Sequence, residues 1–346
     1  MIVLGVESSC DECACAVVED GRRILSNVIV SQTEVHKPYR GVVPELASRA
    51  HIELIRPVYE RALAEAGLRL EAIDAVAAAS QPGLLGALLV GLSFAKALAY
   101  SRGLPFIGVD HVRAHLWAPH IENDIEYPYL GLLVSGGHTL ITRVSGFDDI
   151  EVLGASIDDA CGEAFDKVAK AYGFGFPGGA AIDRLAQTGD PKAFSFPNPV
   201  LHRGGPYDIS YSGLKTAAVN QLEMFHNPGY EKTPANIAAS FQKAAVDILL
   251  RRLFRAAEDT GLTRVVAGGG VAANSYLRAA LARRTDLSVS FPALSLCTDN
   301  GAMIAALGYE LLRRGETSPW THAACARVPA FRRTTGSSEQ VVVSRE

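Results

Sequence analysis

The sequence predicts an α/β protein of two related lobes, and three observations carry that prediction. Strand-length apolar runs alternate with longer helical patterns over most of the 346 residues. A strand, a polar turn and a return strand occur twice, with matching order and length. The first copy is Ile2–Val6, Glu7–Glu12 and Ala14–Val18; the second is Pro128–Val134, Ser135–His138 and Thr139–Val144. The chain is also long enough for two cores of ordinary domain size.

In order, strands are expected at residues 1–6, 14–19 and 22–30, then a helix over 41–67, a strand at 73–79 and a helix over 83–103. Gly83, Gly86 or Ala87, Gly91 and Ala95 give that last helix a small-residue face suited to close approach by another helix. These two helices either pack on each other or offer an exposed surface to a partner. Another strand, Leu104–Val109, precedes a short helix through Trp117. Beyond the second hairpin come helices over 156–172, around Ile182, from Tyr211 and over 234–260, with a long loop at 190–210. Arg264–Leu277 reads as strand, triple-glycine turn and helix start. A short strand at 289–291 and a helix ending near Gly315 complete the pattern. The expected division is an N-terminal lobe over 1–110, a C-terminal lobe over 111–330 and a flexible tail over 331–346.

Composition narrows the function classes. Apolar residues are 48% and charged residues 20%, as in a globular protein with a large core. The net charge of -4 gives no global basic field for nucleic acid, so any such contact needs a local patch. The start lacks a basic leader, and the apolar stretch Leu84–Tyr100 is broken by Ser93 and Lys96, so a cytoplasmic location is expected. Six cysteines then read as reduced thiols, with Cys10, Cys13 and Cys15 in structural roles.

Chemistry is concentrated in a few stretches. His111 and His115 are four residues apart, so on a helix they share a face and can bind one metal ion. Asp299 is a candidate third ligand, or alternatively the cap of the helix beginning near Gly301. Val112 stands where a His-Glu-x-x-His protease carries its general base. No Gly-x-Ser-x-Gly elbow is present, so a covalent hydrolase is poorly supported. Three glycine- or hydroxyl-rich turns, Glu7–Glu12, Ser135–Gly137 and Gly268–Gly270, are candidates for phosphate or nucleoside binding.

Eight stretches then identify a resemblance. They run Val3–Glu12, Gly41–His51, Gly108–His115, Leu133–Thr139, Gly162–Lys167, Tyr211–Thr216, Ala267–Asn274 and Cys297–Gly301, in order over nearly the whole chain. Together they resemble the bacterial tRNA N6-adenosine threonylcarbamoyltransferase family, TsaD. The resemblance implies an actin-like, Hsp70-like ATPase fold, with two RNase H-like lobes and a ligand cleft between them. It implies transfer of threonylcarbamoyl from threonylcarbamoyl-AMP to N6 of adenosine 37 in tRNAs reading codons that start with A, releasing AMP.

By the same resemblance, His111, His115 and Asp299 would hold one divalent ion, Fe2+ or Zn2+. Val134, Ser135, Gly136, Gly137, His138, Asp166, Gly179, Asp183 and Asn274 would bind the adenylate. Cys13 and Cys15 stand where many members carry Thr and Ser or Ala, beside the first turn. The adenylate is already activated, so no covalent protein intermediate is needed, and Asp11 or Glu12 is the candidate for taking the amine proton. Expected partners are tRNA, a smaller paralogous subunit of TsaB type on the helical faces at 43–66 and 83–102, and a small ATPase of TsaE type. The competing readings are a metallopeptidase, the family's older O-sialoglycoprotein endopeptidase label, and a stand-alone nucleotide-binding ATPase.

Overall fold

The computed structural model describes the chain apart from residues 40, 199–203, 328–331, 336, 337 and 342–346. In chain order the first elements are β1 (Ile2–Glu7), β2 (Glu12–Glu19), β3 (Arg23–Ser31), α1 (Thr33–His36), α2 (Pro44–Glu65), β4 (Ala75–Gln81), α3 (Leu85–Arg102), β5 (Phe106–Asp110) and α4 (His111–Trp117). Next come β6 (Tyr129–Val134), β7 (Thr139–Gly146), β8 (Asp149–Ala155), α5 (Cys161–Tyr172), α6 (Gly178–Ala186), α7 (Ser212–Asn220), α8 (Pro234–Thr260), β9 (Arg264–Gly268), α9 (Ser275–Ala282) and β10 (Ser288–Ser290). Then follow α10 (Gly301–Arg313), β11 (Arg332–Thr335) and β12 (Ser338–Val341).

The two halves repeat one sheet topology. The first sheet has the order β3-β2-β1-β4-β5, and the second contains β8-β7-β6-β9-β10. In each, three antiparallel strands are followed by two parallel ones. The duplicated hairpins legible in the sequence are therefore the ends of a larger repeat. Its third strand in the second copy, β8, was not expected.

Two compact units result: Met1–Ile125 with Pro292–Ala330, and Glu126–Phe291 with Phe331–Glu346. The division differs from the expected break at residue 110. Helix α4 follows β5 directly and packs on α10, which itself lies on β1 and β2, so both helices belong to the first sheet. The tail also differs from expectation. Residues of β11 and β12 form an antiparallel pair, with Arg332 beside Glu151 of β8. The outer edge of β8 offers backbone groups to which β11 adds at Arg332. The remainder of the expected tail lies outside the described residues. One helix start also moves: α5 begins at Cys161 rather than 156, because Asp158 accepts a hydrogen bond from the Tyr211 amide at 2.8 Å and Ser156 Oγ bonds the Asp159 carbonyl at 2.5 Å.

In the first unit, β1 and β4 are buried along nearly their whole length, as parallel neighbours with helices on their faces must be. Small residues dominate β4, Ala75, Ala77, Ala78 and Ala79 among them, and α10 lies close to it: a Cβ on Gly308 would stand 2.5 Å from the Ala77 Cβ. On the opposite side, Ile55, Val58 and Ala62 of α2 pack with Leu4, Val17, Leu92 and Phe106, each large apolar side chain contributing roughly 1.5–3 kcal/mol. The small face of α3 is used internally. Gly86 makes room for Ser48 of α2, and Gly91 for Ser8 in the β1–β2 turn. Of the two uses open for these helices, packing on each other is realised, and their outer faces still expose Ile52, Leu85 and Leu89.

The tightest approach is between β1 and α10. A Cβ on Gly5 would collide with the Gly301 carbonyl oxygen and come within 2.6 Å of the Ala305 nitrogen. Both are backbone atoms that cannot rotate away. Gly5→Ala should therefore lower stability by about 1–3 kcal/mol, measured by urea denaturation of the full chain. Gly213→Ala, on an exposed turn of α7 with open space around it, should leave stability equal or higher. An unchanged midpoint for Gly5→Ala would refute this account of the contact.

Candidate metal centre and nucleotide turns

In the first unit, β5 delivers the chain into α4, and Asp110 caps that helix by accepting from the Arg113 amide at 2.9 Å. One turn of helix then brings the two imidazoles together edge to face, with ring centroids 4.6 Å apart. Asp299 reaches the same point from the other end of the unit. Its Oδ1 is 3.0 Å from His115 Nε2 and 3.5 Å from His111 Nε2. The cap role open for Asp299 is filled by its neighbour instead: Asn300 accepts from the Met303 amide at 3.0 Å.

Whether these residues fit a metal is a question of donors and spacing. One ligand atom from each of His111, His115 and Asp299 lies within 4.8 Å of the others. Ligands about 2.0–2.2 Å from a tetrahedral ion stand roughly 3.3–3.6 Å apart, so the observed separations need only small side-chain movements. His115 is 1% exposed, and its Nδ1 has no hydrogen-bond partner among the described residues. Two imidazoles and a carboxylate suit zinc or ferrous iron. The set fits.

A fourth residue, not singled out for this role from the sequence, completes the geometry. Glu7 is fully buried at the end of β1, and its Oε2 lies 2.9 Å from His111 Nδ1. Ser9 Oγ is 3.1 Å from the same nitrogen, while the Ser9 amide donates to Glu7 Oε1 at 2.5 Å. A carboxylate on Nδ1 fixes the tautomer and leaves the Nε2 lone pair for an ion. Burial opposes charge on His111, but Glu7 and Asp299 outweigh it and push its pKa up to about 10. The carboxylates of Glu7 and Asp299 thus favour positive charge at this point. A carboxylate spaced 104 residues from its imidazole leaves no local sequence signal, whereas the Glu-Ser-Ser turn does mark the position.

The other turn residues stand close by. The β1–β2 turn brings Cys10 and Glu12 near Asp299, with Asp11 beside both. Burial, reinforced by Asp299 and Asp11, holds the Glu12 carboxyl well above the usual range. Cys13 and Cys15 are buried in β2; burial and nearby Glu7 push the Cys13 thiol to about 12, which suppresses thiolate chemistry.

The second unit gathers the remaining candidates. Val134 ends β6, and the Ser135–His138 turn closes on itself, with the Ser135 amide donating to the His138 carbonyl at 2.8 Å and the His138 amide donating to Ser135 Oγ at 3.1 Å. Gly136 and Gly137 have open space where a side chain would stand. The triple-glycine turn packs against this one: Gly269, at φ 91°, lies where a Cβ would strike the Val134 carbonyl. Asp166 accepts from the Gly178 amide at 2.7 Å, which fixes the start of α6 and hence Gly179. Asp183 Oδ1 gathers donors from Gln242, Asn274 Nδ2 (3.2 Å), the Ser275 amide (3.1 Å) and Ser275 Oγ (2.6 Å). Asn274 also caps α9. All nine predicted adenylate residues therefore lie in this unit, while the metal triad, Asp11 and Glu12 lie in the first.

Paired mixed sheets of this order define an actin-like ATPase-fold protein. Solved structures agree at the level of fold. HypF from T. kodakarensis aligns over 90% of this chain and 48% of its own, with a TM-score of 0.60 and 16% identity. The Acidaminococcus fermentans (R)-2-hydroxyglutaryl-CoA dehydratase component A aligns over 90% and 98%, with a TM-score of 0.53 and 15% identity. The family is shown by sequence. The model described as TsaD, tRNA N6-adenosine threonylcarbamoyltransferase, matches residues 23–306, and the chain belongs to that family. A tRNA N6-adenosine threonylcarbamoyltransferase of Treponema denticola is 62% identical over 96% of this chain and 98% of its own. Relatives of the same name in Treponema pallidum and Borrelia hermsii are 55% and 48% identical, each over 97% of this chain and at least 96% of their own. The chain is accordingly a transferase of tRNA modification. No helix among the described residues is long and apolar enough to cross a membrane.

Removing one ligand should empty the centre. Asp299→Ala is expected to lose stoichiometric metal by elemental analysis, with a native-like circular dichroism spectrum. Glu7→Gln should retain the ion but bind it about 10–100-fold more weakly in chelator competition. Full metal content in Asp299→Ala would refute the triad.

Proposed function

We propose that this chain transfers the threonylcarbamoyl group from threonylcarbamoyl-AMP to N6 of adenosine 37 in tRNAs reading codons that start with A, releasing AMP. The observation that carries the reading is the convergence of His111, His115 and Asp299 on one point, with Glu7 fixing the first of them. His111, His115 and Asp299 would hold a divalent ion, Fe2+ or Zn2+, which when bound supplies Lewis-acid polarisation of an oxygen.

The chain's own residues do the rest. Val134, Ser135, Gly136, Gly137 and His138 offer a turn whose open glycines admit a phosphate to backbone amides. Gly179, at the start of α6, is equally open, and Asp166 fixes that start. Asp183 and Asn274 supply polar groups for the ribose and base. Asp183 Oδ1 already accepts from Gln242, Asn274 and Ser275, so its orientation is set before ligand arrives. AMP is a good leaving group, so the attacking amine needs alignment and a proton acceptor rather than a protein nucleophile. Glu12 is the acceptor we favour over Asp11, because burial, reinforced by the neighbouring Asp299 and Asp11 carboxylates, raises its affinity for a proton.

The purified chain, with its partner subunits, unmodified tRNA and threonylcarbamoyl-AMP, should form threonylcarbamoyladenosine detectable by nucleoside mass spectrometry. Absence of product with metal and partners present would sink the reading. Glu12→Gln should lower kcat by about 10²–10⁴ without loss of metal.

The partners proposed are a smaller paralogous subunit of TsaB type and a small ATPase of TsaE type. Support for the first comes from the outer faces of α2 and α3, where Ile52 is 66%, Leu85 49% and Leu89 47% exposed. Ile52→Glu combined with Leu89→Glu should abolish co-elution with the paralogue; an intact complex would place the contact elsewhere.

A further inference from the structure

Helices α8 and α9 of the second unit, with the residues just after α9, line an open surface cavity of about 320 Å³ that none of the roles above uses. Three arginines line it, Arg251, Arg283 and Arg284, together with two rings, Phe254 and Tyr276, and one acid, Asp247. The acid is already engaged, since it pairs with Lys243 and accepts from the Tyr276 hydroxyl at 3.3 Å. Arg284 pairs with Asp286 at 2.7 Å and lies over the Phe254 ring at 4.1 Å. Arg251 donates to the Asp247 carbonyl at 3.1 Å and to the Asn198 side chain. Neither Arg251 nor Arg283 forms an ion pair with a carboxylate among the described residues, and both are exposed.

We propose that this cavity binds the phosphodiester backbone of the tRNA, seating one nucleotide. The inference rests on tRNA being the acceptor. Charge is the first argument. In a chain of net charge -4, two guanidinium groups with no carboxylate partner among the described residues, beside an acid already paired with Lys243, make a local cationic site, and the planar fork of Arg matches phosphate oxygens. The half-buried Tyr276 ring beside the arginines gives a ribose or base a surface to lie on, the combination that single-stranded RNA grooves use. Size is the third argument, because the cavity lies at the low end of the roughly 300–1,000 Å³ of small-ligand sites, enough for one nucleotide. Position is the fourth. Gln242, which holds Asp183, precedes Asp247 and Arg251 along α8, and Asn274 and Ser275 lead directly into Tyr276. The cationic site thus continues from the polar cluster around Asp183 on the same two helices.

The test compares the full-length chain with Arg251→Ala/Arg283→Ala, using fluorescence anisotropy of unmodified tRNA without adenylate at 50–200 mM salt. The double variant should bind tRNA about tenfold more weakly at the low-salt end, with a salt slope shallower by about 2. KM for threonylcarbamoyl-AMP and the transfer rate at saturating tRNA should not move. Arg251→Lys/Arg283→Lys should keep the parent's slope while losing part of the affinity, and Arg23→Ala/Arg69→Ala should keep both. An unchanged affinity and slope in the alanine variant, with an unchanged melting temperature, would overturn the proposal. So would a raised KM for the adenylate with tRNA binding intact, which would assign the cavity to the small nucleotide. Because binding is read without transfer, a chain that binds tRNA through these arginines yet makes no product would refute the proposed reaction and leave this surface standing.

Discussion

The first unit depends on the contact between Gly5 of β1 and the amino end of α10. Backbone meets backbone there, with no side chain between, and the Gly301 nitrogen-side surface is equally tight, with a Cβ at that position 2.6 Å from the Ala16 nitrogen. This closeness sets the position of residue 299, one step before the Asn300 cap. A looser approach would withdraw Asp299 from the imidazoles of α4. Two glycines with ordinary backbone angles thus act by having no side chain, and the chemistry of the centre follows from their absence of bulk.

Around that contact the centre is held from three directions. The Asp110 cap and β5 aim α4, the buried carboxylate of Glu7 rotates His111, and α10 brings Asp299. Each constraint comes from a different stretch of chain, so the arrangement is set before any ion binds. A buried carboxylate without a partner would be costly. Here Glu7 has His111 and the Ser9 amide, which is why an acid can sit fully enclosed at the end of a central strand.

Much of this was legible in the sequence, and the reason differs by residue. The paired hairpins announced the duplication because strand, turn and strand are local patterns. Helix α8 was readable to its ends, with Thr233 as cap and Pro234 at its first turn. The His pair was visible because four residues make one turn. Glu7 as an orienting group was not visible, because that relation joins residues 104 apart. The start of α5 was misplaced, since Asp158 spends its carboxylate on the distant Tyr211 amide rather than on helix capping. The unit boundary was misjudged for a similar reason: Pro292–Ala330 returns to the first unit, and no local pattern records a return. Asp299 was proposed as ligand or cap; the structure separates those roles because Asn300, the next residue, does the capping.

That return has a consequence for how the protein is made. The ribosome completes β1 to α4 long before it reaches residue 299, so a nascent chain of even 290 residues carries two imidazoles and Glu7 but lacks the third donor. The second unit is contiguous from Glu126 to Phe291 and can assemble meanwhile. The three-donor site therefore exists only once residue 299 has been made, and a product released before that point would lack Asp299.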